Sequence, residues 1–477
     1  MGLKPFPPKN RTPQRPRTSG RILFDDGTVQ AAPTPERPVR GPDEQGLPPR
    51  RAALAILDAV LRRGQSMSDA LDAMPSDLAQ SDAAFARAIA AGGLRRLNQI
   101  DAVLKLYLTK PLPAGSGPAP LILHAAATEI LVLGAAPHAA VDCANKLAAQ
   151  DRDARHFRGL INAILRKVTT EGRHAYGALD AALVNTPPWA WEDWSAAYGS
   201  DAARAIAEAH LVEAPLDFSL KDASQSAHWA VQLQAEILPT GSLRRPAGGR
   251  ITALPGFAEG AWWVQDAAAA LPVRLLGDVK GQFVLDLCAA PGGKTAQLCA
   301  AGARVMAVDR SPERLALVQE NLKRLSLTAS VVAADVTEWR PEALADAVLL
   351  DAPCTATGTI RRHPDLLINK ARGDVMRLAE DQVRLLGAAL AMVKPGGTLV
   401  YAVCSLQPEE GPEVVQAVLN APPAGIRVQR LSAGSEMVGG QSLFLDALGD
   451  LRTLPSHWAE RGGVDGFYAA RLQRLPD

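Results

Sequence analysis

The sequence is poor in cysteine and has no long uninterrupted apolar segment. Its 477 residues include five cysteines, at positions 143, 288, 299, 354 and 404, and no C-x-x-C pair. An odd number of widely spaced cysteines argues against a disulfide framework or a zinc site. We therefore expect a cytoplasmic protein without a bound metal. No stretch approaches the roughly 20 apolar residues that span a bilayer, and the N-terminus lacks the apolar segment of a secretory signal. We therefore expect no membrane association.

The chain also lacks an excess of charge of either sign. It has 51 Lys and Arg against 50 Asp and Glu, which gives a formal net charge of +1. Overall charge therefore does not indicate a nucleic-acid partner, and any such indication has to be local. Hydrophobic residues make up 47% of the chain and charged residues 21%. These fractions are ordinary for globular proteins, and the length predicts about two to four domains.

The apolar pattern divides the chain into four segments. Residues 1–49 are rich in proline and arginine and predict a disordered tail. Residues 50–170 carry apolar side chains at helical spacing, as in RAALAILDAVLRRG, and predict an all-α domain. Residues 171–275 mix strand, turn and helix signals and predict a connector with a small α+β subdomain. In residues 276–477 short apolar runs alternate with helical patterns, which predicts a doubly wound α/β domain with parallel strands.

A basic cluster near the end of the helical segment is the strongest local charge signal. Arg155, Arg158 and Arg166, at spacings of three and eight, would lie close to one face of a continuous helix. Such a stripe could contact RNA phosphates, and the equally simple alternative is a solvated helix surface. Two histidines of this segment, His124 and His138, are more typical of packed or hydrogen-bonded side chains than of metal ligands.

The first strand of the α/β segment runs into the glycine-containing loop DLCAAPGGKT, residues 286–295. A phosphate-binding P-loop would need glycine six residues before Lys294, where the chain has Cys288. Asp309 ends the next strand, where a carboxylate can hold a ribose hydroxyl pair, and Asp335 ends the third, where it can accept from an adenine amino group. The pattern indicates an adenosine site. It fits nicotinamide dinucleotides and S-adenosylmethionine equally well, and a helix N-cap is the alternative role for each carboxylate.

Two cysteines close separate strands at the same predicted edge of the sheet. The fourth strand ends in DAPC at Cys354, and the fifth in VCS around Cys404. Buried cysteines are usually inert, but a thiolate at this edge could act as a nucleophile, stabilised by Lys294 or a helix terminus. The other three cysteines are expected to have packing or backbone roles.

These motifs together resemble the Fmu/Sun family of RNA cytosine-5 methyltransferases. The matching segments are DLCAAPGGKT (286–295), VDRS (308–311), AAD (333–335), DAPCTATGTIRRHPD (351–365) and YAVCS (401–405). The helical segment is similar to the NusB-type RNA-binding domain that precedes the catalytic part in a subfamily acting on 16S ribosomal RNA. The resemblance covers roughly residues 50–475 and implies a NusB-like all-α domain followed by a Rossmann-like methyltransferase domain.

The resemblance implies S-adenosylmethionine as cofactor and a role for each matching residue. Cys404 would attack carbon 6 of a cytosine, Cys354 would assist release of the product, and Asp351 would lie between base and cofactor. Lys294 would lower a thiol pKa or orient Asp351. Contacts to S-adenosylmethionine are expected from Cys288, Ala289, Ala290, Pro291, Gly292, Gly293, Lys294, Asp309, Asp335 and Asp351.

The resemblance also implies an RNA partner. Arg361 and Arg362, beside the catalytic loop, are expected to contact RNA together with the basic stripe, and we expect a monomer acting on 16S ribosomal RNA. The chemical motifs do not separate this substrate from tRNA or another ribosomal RNA site. A non-catalytic RNA-binding factor is a further alternative. The family usually has threonine before the nucleophile, where this chain has Val403, so one hydrogen bond near Cys404 is in doubt.

Overall fold

The first half of the chain is helical in the computed structural model, which describes residues 45–476. The helices are α1 (Leu47–Arg63), α2 (Met67–Asp72), α3 (Gln80–Arg95), α4 (Leu97–Tyr107), α5 (Ala119–Leu131), α6 (Pro137–Gln150), α7 (Arg158–Lys167), α8 (Arg173–Ala178), α9 (Ala181–Asn185), α10 (Pro188–Tyr198) and α11 (Ser200–His210). A 3-10 turn, Ala154–Phe157, precedes α7, and a π-helical turn, Val168–Gly172, follows it. Within residues 45–476 no helix is long and apolar enough to cross a membrane.

Apolar periodicity and end signals explain the first helix. Ile56, Leu57 and Val60 of α1 are buried against α3 and α5. Gly64 ends the helix at φ +65°, and its N–H donates to the carbonyls of the last turn. Helix α1 begins at Leu47, three residues before the predicted start of the helical domain. The rest of the predicted tail, residues 1–44, lies outside the described residues.

A small antiparallel sheet follows the helices. Its elements are β1 (Leu216–Leu220), α12 (Ser226–Leu233), β2 (Glu236–Ile237), β3 (Leu243–Arg245) and β4 (Trp262–Val264), with strand order β2-β3-β1-β4. Phe218 and Trp262 pack edge to face in its core, with ring centroids 4.8 Å apart. The helices before this sheet continue to His210, well past residue 171, where the connector was predicted to begin. The exact domain limits stay predictions.

The last part of the chain forms an eight-stranded mixed sheet with helices on both faces. Its elements are α13 (Leu271–Arg274), β5 (Phe283–Leu287), α14 (Gly293–Ala300), β6 (Arg304–Asp309), α15 (Pro312–Leu325), β7 (Ser330–Ala333), β8 (Ala345–Asp351), α16 (Leu366–Asn369), α17 (Arg372–Leu390), β9 (Val393–Val403), α18 (Pro412–Asn420), β10 (Val428–Leu431), β11 (Leu451–Thr453) and β12 (Phe467–Arg474). The order is β10-β12-β9-β8-β5-β6-β7, and β11 pairs with β12. Strands β5 to β9 are parallel as predicted, while β10 to β12 are antiparallel additions.

Alternating side chains attach the two helical layers to this sheet. Leu285 and Leu287 of β5 pack in a core with α17 and α18, whereas Val284 faces a second core with α13 and α14. Both faces are therefore buried, which explains the continuous apolar runs in the sequence. The carboxyl ends of the five parallel strands meet at one edge, and the candidate site lies there.

Candidate active site

The loop between β5 and α14 lines one side of the site. Cys288 and Gly292 have positive φ angles of 60° and 97°, and the glycine backbone lies against Val318 of α15. A Cβ on Gly292 would lie 3.0 Å from a Val318 methyl carbon, so a side chain does not fit without displacement. Arg314 of α15 donates to the Ala290 carbonyl at 2.6 Å. The loop is therefore fixed against α15 and directs the N-terminus of α14 toward the strand ends.

Two carboxylates follow the ends of β6 and β7. Asp309 is buried; it accepts from the Ala290 N–H at 3.2 Å and from the Ser311 N–H at 3.1 Å. Asp335 is exposed and accepts from the backbone and hydroxyl of Thr337 at 2.8 Å and 2.6 Å. Each carboxylate thus accepts from the backbone of a turn, but neither is the helix N-cap that was the alternative: the N-cap of α15 is Ser311. Acceptors at neighbouring strand ends suit the donors of S-adenosylmethionine, which are its ribose hydroxyls, adenine amino group and ammonium.

Lys294 and Asp351 form an ion pair at the centre of the site. The Lys294 Nζ donates to Asp351 Oδ2 at 2.7 Å and lies 5.2 Å from the centroid of the Phe467 ring. Burial alone would lower the pKa of Lys294, but the charge and hydrogen bond of Asp351 outweigh it and raise the pKa. Lys294 therefore stays an ammonium and holds Asp351 in place.

Two groups in this loop and in the strand before it have raised pKa values. Burial, followed by repulsion from Asp309, raises the pKa of the Cys288 thiol to about 12. Asp286, fully buried in β5, has its pKa raised to about 7, chiefly by burial and against the hydrogen bond from the Thr295 hydroxyl. Cys288 is thus a poor nucleophile at neutral pH, in line with its expected backbone role.

The two cysteines at the strand ends lie side by side. The Sγ atoms of Cys354 and Cys404 are 3.5 Å apart, although the residues are 50 positions apart in sequence. The hydrogen bond with Cys404, then burial, raises the pKa of Cys354 well above its ordinary value. Cys354 is therefore held in its thiol form next to the Cys404 sulfur. Two adjacent thiols can act as a nucleophile and a proton-transfer group in covalent catalysis.

A buried carboxylate behind the cysteines was missed by the sequence analysis. Glu410 accepts hydrogen bonds from Thr355 and Ser405, the residues that follow Cys354 and Cys404. It lies in a 3-10 turn, Pro408–Glu410, and two consecutive glutamates in a turn are typical of a solvated surface. The sequence signal that could have found it is the position, six residues after a cysteine that ends a buried strand.

Arg361 and Arg362 lie in an internal ion-pair network; the burial of Arg361 disfavours an RNA contact there, and the expectation for Arg362 stays a prediction. The Arg361 guanidinium pairs with Asp266 and Asp465 at 2.7 Å and is 1% exposed. Arg362 pairs with the same two carboxylates at 2.6 Å and 3.0 Å and donates to the Pro215 carbonyl. Their donors are engaged inside the protein because the two aspartates need these cations to be buried at all.

The predicted basic stripe is exposed but is not one continuous helix. Arg155 lies in the 3-10 turn, and α7 begins only at Arg158, because the Asp151 carboxylate accepts from two backbone N–H groups of the turn. Arg158 and Arg166 are exposed, and no ion pair involving either is found among residues 45–476. The arginines are thus accessible to a phosphate backbone.

Comparison with known proteins gives two family matches. A family model described as 16S rRNA methyltransferase RsmB/F matches residues 273–473, and a NusB family model matches residues 47–170. Among curated relatives, the ribosomal RNA small subunit methyltransferase B of Vibrio cholerae is 35% identical over 444 residues, covering 89% of this chain and 97% of the relative. That of Cronobacter sakazakii is 33% identical over 440 residues, with coverages of 89% and 98%.

Solved structures share the fold. The crystal structure of PH0851 superposes with a TM-score of 0.70 at 21% identity, covering 89% of this chain and 98% of that one. NSun6 from Pyrococcus horikoshii with SFG gives a TM-score of 0.50 at 19% identity, with coverages of 61% and 99%. Together with the family matches over residues 47–170 and 273–473, this shared fold confirms the predicted fold class of a NusB-like domain followed by an α/β sheet domain. The identity to curated relatives over nearly their whole length shows that this chain belongs to the ribosomal RNA small subunit methyltransferase B family, and it is an S-adenosylmethionine-dependent methyltransferase.

Proposed function

We propose that this protein methylates carbon 5 of a cytosine in 16S ribosomal RNA through a covalent bond between Cys404 and the base. The observation that supports this most directly is the 3.5 Å contact between the Cys354 and Cys404 sulfurs, beside the Lys294–Asp351 ion pair. A methyltransferase acting on oxygen or nitrogen has no need for two adjacent thiols at the ligand edge of its sheet. Addition to a pyrimidine ring needs one thiolate, and a second thiol beside it can serve the later proton transfer.

The first step makes carbon 5 nucleophilic. The Cys404 thiolate forms a bond to carbon 6, and the electron pair of the carbon 5–carbon 6 double bond moves into the ring. Bound S-adenosylmethionine supplies an electrophilic methyl group for carbon 5. The target base has to leave any stack to reach Cys404, so it enters the cleft as an extruded nucleotide.

Asp351 and Lys294 stabilise the charge that develops on the ring. Asp351 is placed beside the base, and the Lys294 ammonium, 2.7 Å from Asp351 Oδ2, offsets the negative charge that develops on the ring. Lys294 is kept charged by this carboxylate, which supports a role as a fixed positive charge rather than as a neutral amine. In the resting protein the same contact orients Asp351.

Cys354 completes the reaction. While Cys404 is a thiolate, its hydrogen bond and charge keep the Cys354 proton in place. Once the Cys404 sulfur is bonded to carbon 6 it carries no charge, so both effects disappear and the pKa of Cys354 falls. Cys354 then loses its thiol proton to water, and the resulting thiolate can remove the carbon 5 proton. The Cys404–carbon 6 bond breaks, its electron pair returns to sulfur, and the ring double bond forms again.

The choice of RNA rests on the helical domain and on the relatives. The NusB-type region matches residues 47–170, and the exposed Arg155, Arg158 and Arg166 lie within it. The curated relatives are named for the small ribosomal subunit and cover this domain as well as the sheet. The thiols at 354 and 404 are free, which suits a reaction in the reducing cytoplasm.

Substitution of each cysteine tests the chemistry. We expect Cys404→Ala to abolish methyl transfer, and Cys354→Ala to accumulate a slowly resolving protein–RNA adduct, visible as a shifted band on a denaturing gel. Cys143→Ala, in the helical domain, is the matched control and should behave as wild type. Normal turnover without an adduct in Cys354→Ala would contradict the two-cysteine mechanism.

Bisulfite sequencing tests the substrate. RNA is compared from cells with the gene, without it, and with the Cys404→Ala variant. We expect one cytosine of 16S ribosomal RNA to lose its protection in the second and third strains. Loss at a tRNA or large-subunit site would keep the mechanism and change the substrate. Unchanged protection everywhere would favour a non-catalytic RNA-binding factor.

A further inference from the structure

Glu410 lies behind the two cysteines and touches neither of them. Its side chain is completely buried, and Oε1 accepts from the Thr355 N–H at 2.8 Å and from the Gln382 amide at 3.2 Å. Oε2 accepts from the Ser405 hydroxyl at 2.5 Å and from the Thr355 hydroxyl. One carboxylate thus joins the residue after Cys354 to the residue after Cys404.

Two further contacts attach Glu410 itself to the same strand ends. The Tyr401 hydroxyl, on β9 just before Cys404, donates to the Glu410 backbone carbonyl at 2.6 Å. The Gln382 amide that reaches Glu410 also donates to the Pro353 carbonyl at 2.9 Å. Glu410 is therefore fixed to both cysteine-bearing segments, through its backbone carbonyl as well as through its carboxylate.

We propose that Glu410 is a positioning residue, which holds the Cys354 thiol against Cys404 and whose negative charge keeps Cys354 protonated until Cys404 has reacted. The proposal rests on the two-cysteine mechanism above. It adds a residue that distinguishes two chemically identical side chains 3.5 Å apart. Without such a residue either thiol could lose its proton first.

Burial raises the pKa of Glu410, and the hydrogen bonds that its carboxylate accepts oppose that shift. The Thr355 N–H and the Gln382 amide can only donate to it, and both hydroxyls are oriented to do so. A carboxylate satisfied by four donors keeps its charge at a lower cost than an isolated one. That charge opposes ionisation of Cys354, and it is among the causes that raise the Cys354 pKa, after the Cys404 hydrogen bond and burial.

The first test needs neither RNA nor cofactor. Glu410→Gln keeps the shape and allows the Thr355 and Ser405 hydroxyls to donate or accept, but it removes the charge. The rate of alkylation of Cys354 by iodoacetamide is followed against pH by mass spectrometry of its peptide. We expect the pH at which the alkylation rate of Cys354 is half of its maximum (the Cys354 midpoint) to be lower than in wild type by about one unit or more.

Glu409→Gln is the matched control. Glu409 is the preceding residue, but its carboxylate pairs with Arg372 at 2.5 Å rather than with a cysteine-bearing segment. The control should leave the Cys354 midpoint unchanged. Equal midpoints in Glu410→Gln, Glu409→Gln and wild type would overturn the proposal. Because no methyl transfer is measured, this result is independent of whether Cys404 forms an adduct with RNA.

The second test measures positioning. Glu410→Ala removes the link between the two segments, and displacement of a reacting group by an ångström costs about 100-fold. We expect kcat for methyl transfer to fall by about that factor while KM for S-adenosylmethionine stays unchanged, and Glu410→Gln, which restores the hydrogen bonds but not the charge, to recover part of the loss. If kcat falls only in proportion to the fraction of protein that has unfolded, as measured by circular dichroism, the role of Glu410 is purely structural. If instead Cys404→Ala methylates normally, the proposed function fails, and the alkylation result still stands.

Discussion

At the scale of single residues, the surroundings of each ionisable group decide what it can do. The five cysteines are the same side chain, yet burial raises the pKa of Cys288 and Cys299 to about 12 and also raises that of Cys143. Only Cys354 has its pKa raised chiefly by another thiol. Reactivity at the site is thus a property of neighbours, which no count of cysteines in the sequence reveals.

The buried carboxyl of Asp286 gives a prediction on stability against pH. Its folded-state pKa of about 7 lies above the ordinary value of 3.8, mainly because of burial. Its contribution to the free energy of unfolding is therefore fully present below about pH 4 and is lost as the pH rises through 7. We expect the thermal midpoint of Asp286→Asn to fall less between pH 5 and pH 8 than that of wild type. Asp278→Asn, at an exposed position, should follow wild type.

Residues of the candidate site were predictable from sequence where a strand end fixes their place. Asp351 ends β8 and Cys404 follows β9, so the alternation of strands and helices was enough to bring them to one edge. Glu410 and Arg361 were not predictable in this way. The partners of Arg361 are 95 and 104 positions away in sequence. Whether a charge is buried depends on such partners, and local pattern contains no information about them.

At the scale of elements, the short apolar parallel strands were predictable from the sequence, whereas the order of the added antiparallel strands was not. Four of the five parallel strands, β5, β6, β8 and β9, are buried on both faces, which leaves a strong signal in the sequence. The antiparallel strand β12 lies beside β9, with Tyr468 opposite Val403, although 65 positions separate them. Its place is set by long-range pairing. Strand β7 is short and less buried, and only its position after α15 identifies it.

The loop after β8 is anchored by the Arg361–Arg362 network, and this gives a second stability prediction. Removal of one partner from a buried ion pair costs about 3–5 kcal/mol, because the opposite charges stay buried. We expect Arg361→Ala to lower the thermal midpoint strongly, since Asp266 and Asp465 would then depend on Arg362 alone. Arg384→Ala removes an exposed pair with Asp381 and should change the midpoint little. Equal effects of the two variants would contradict the buried network.

At the scale of the whole described chain, the helical region contacts the segment that follows the catalytic loop. Arg95 of α3 donates to the Arg361 carbonyl at 3.0 Å, and the Met67 N–H donates to Asp365 at 3.2 Å. The Asn369 amide donates to the Gln65 carbonyl at 3.2 Å. RNA held by the helices would therefore have a fixed relation to the loop that carries Cys354. This arrangement was not predictable, because the sequence shows two domains but not how they touch.

The exposed basic stripe then gives a prediction for RNA binding as a whole. Each phosphate contact releases counterions, and removal of one such cation reduces the slope of log affinity against log salt by about one. We expect Arg155→Gln combined with Arg158→Gln to weaken binding of a 16S ribosomal RNA fragment and to reduce this slope by about two. The control Arg384→Gln, on α17, should leave the slope unchanged. The Arg155 and Arg158 variant leaves the Cys354–Cys404 pair intact, so alkylation of the cysteines should be normal while the affinity falls. An unchanged slope would mean that the stripe is solvated surface, and the RNA would then be held by other cations of the helical region.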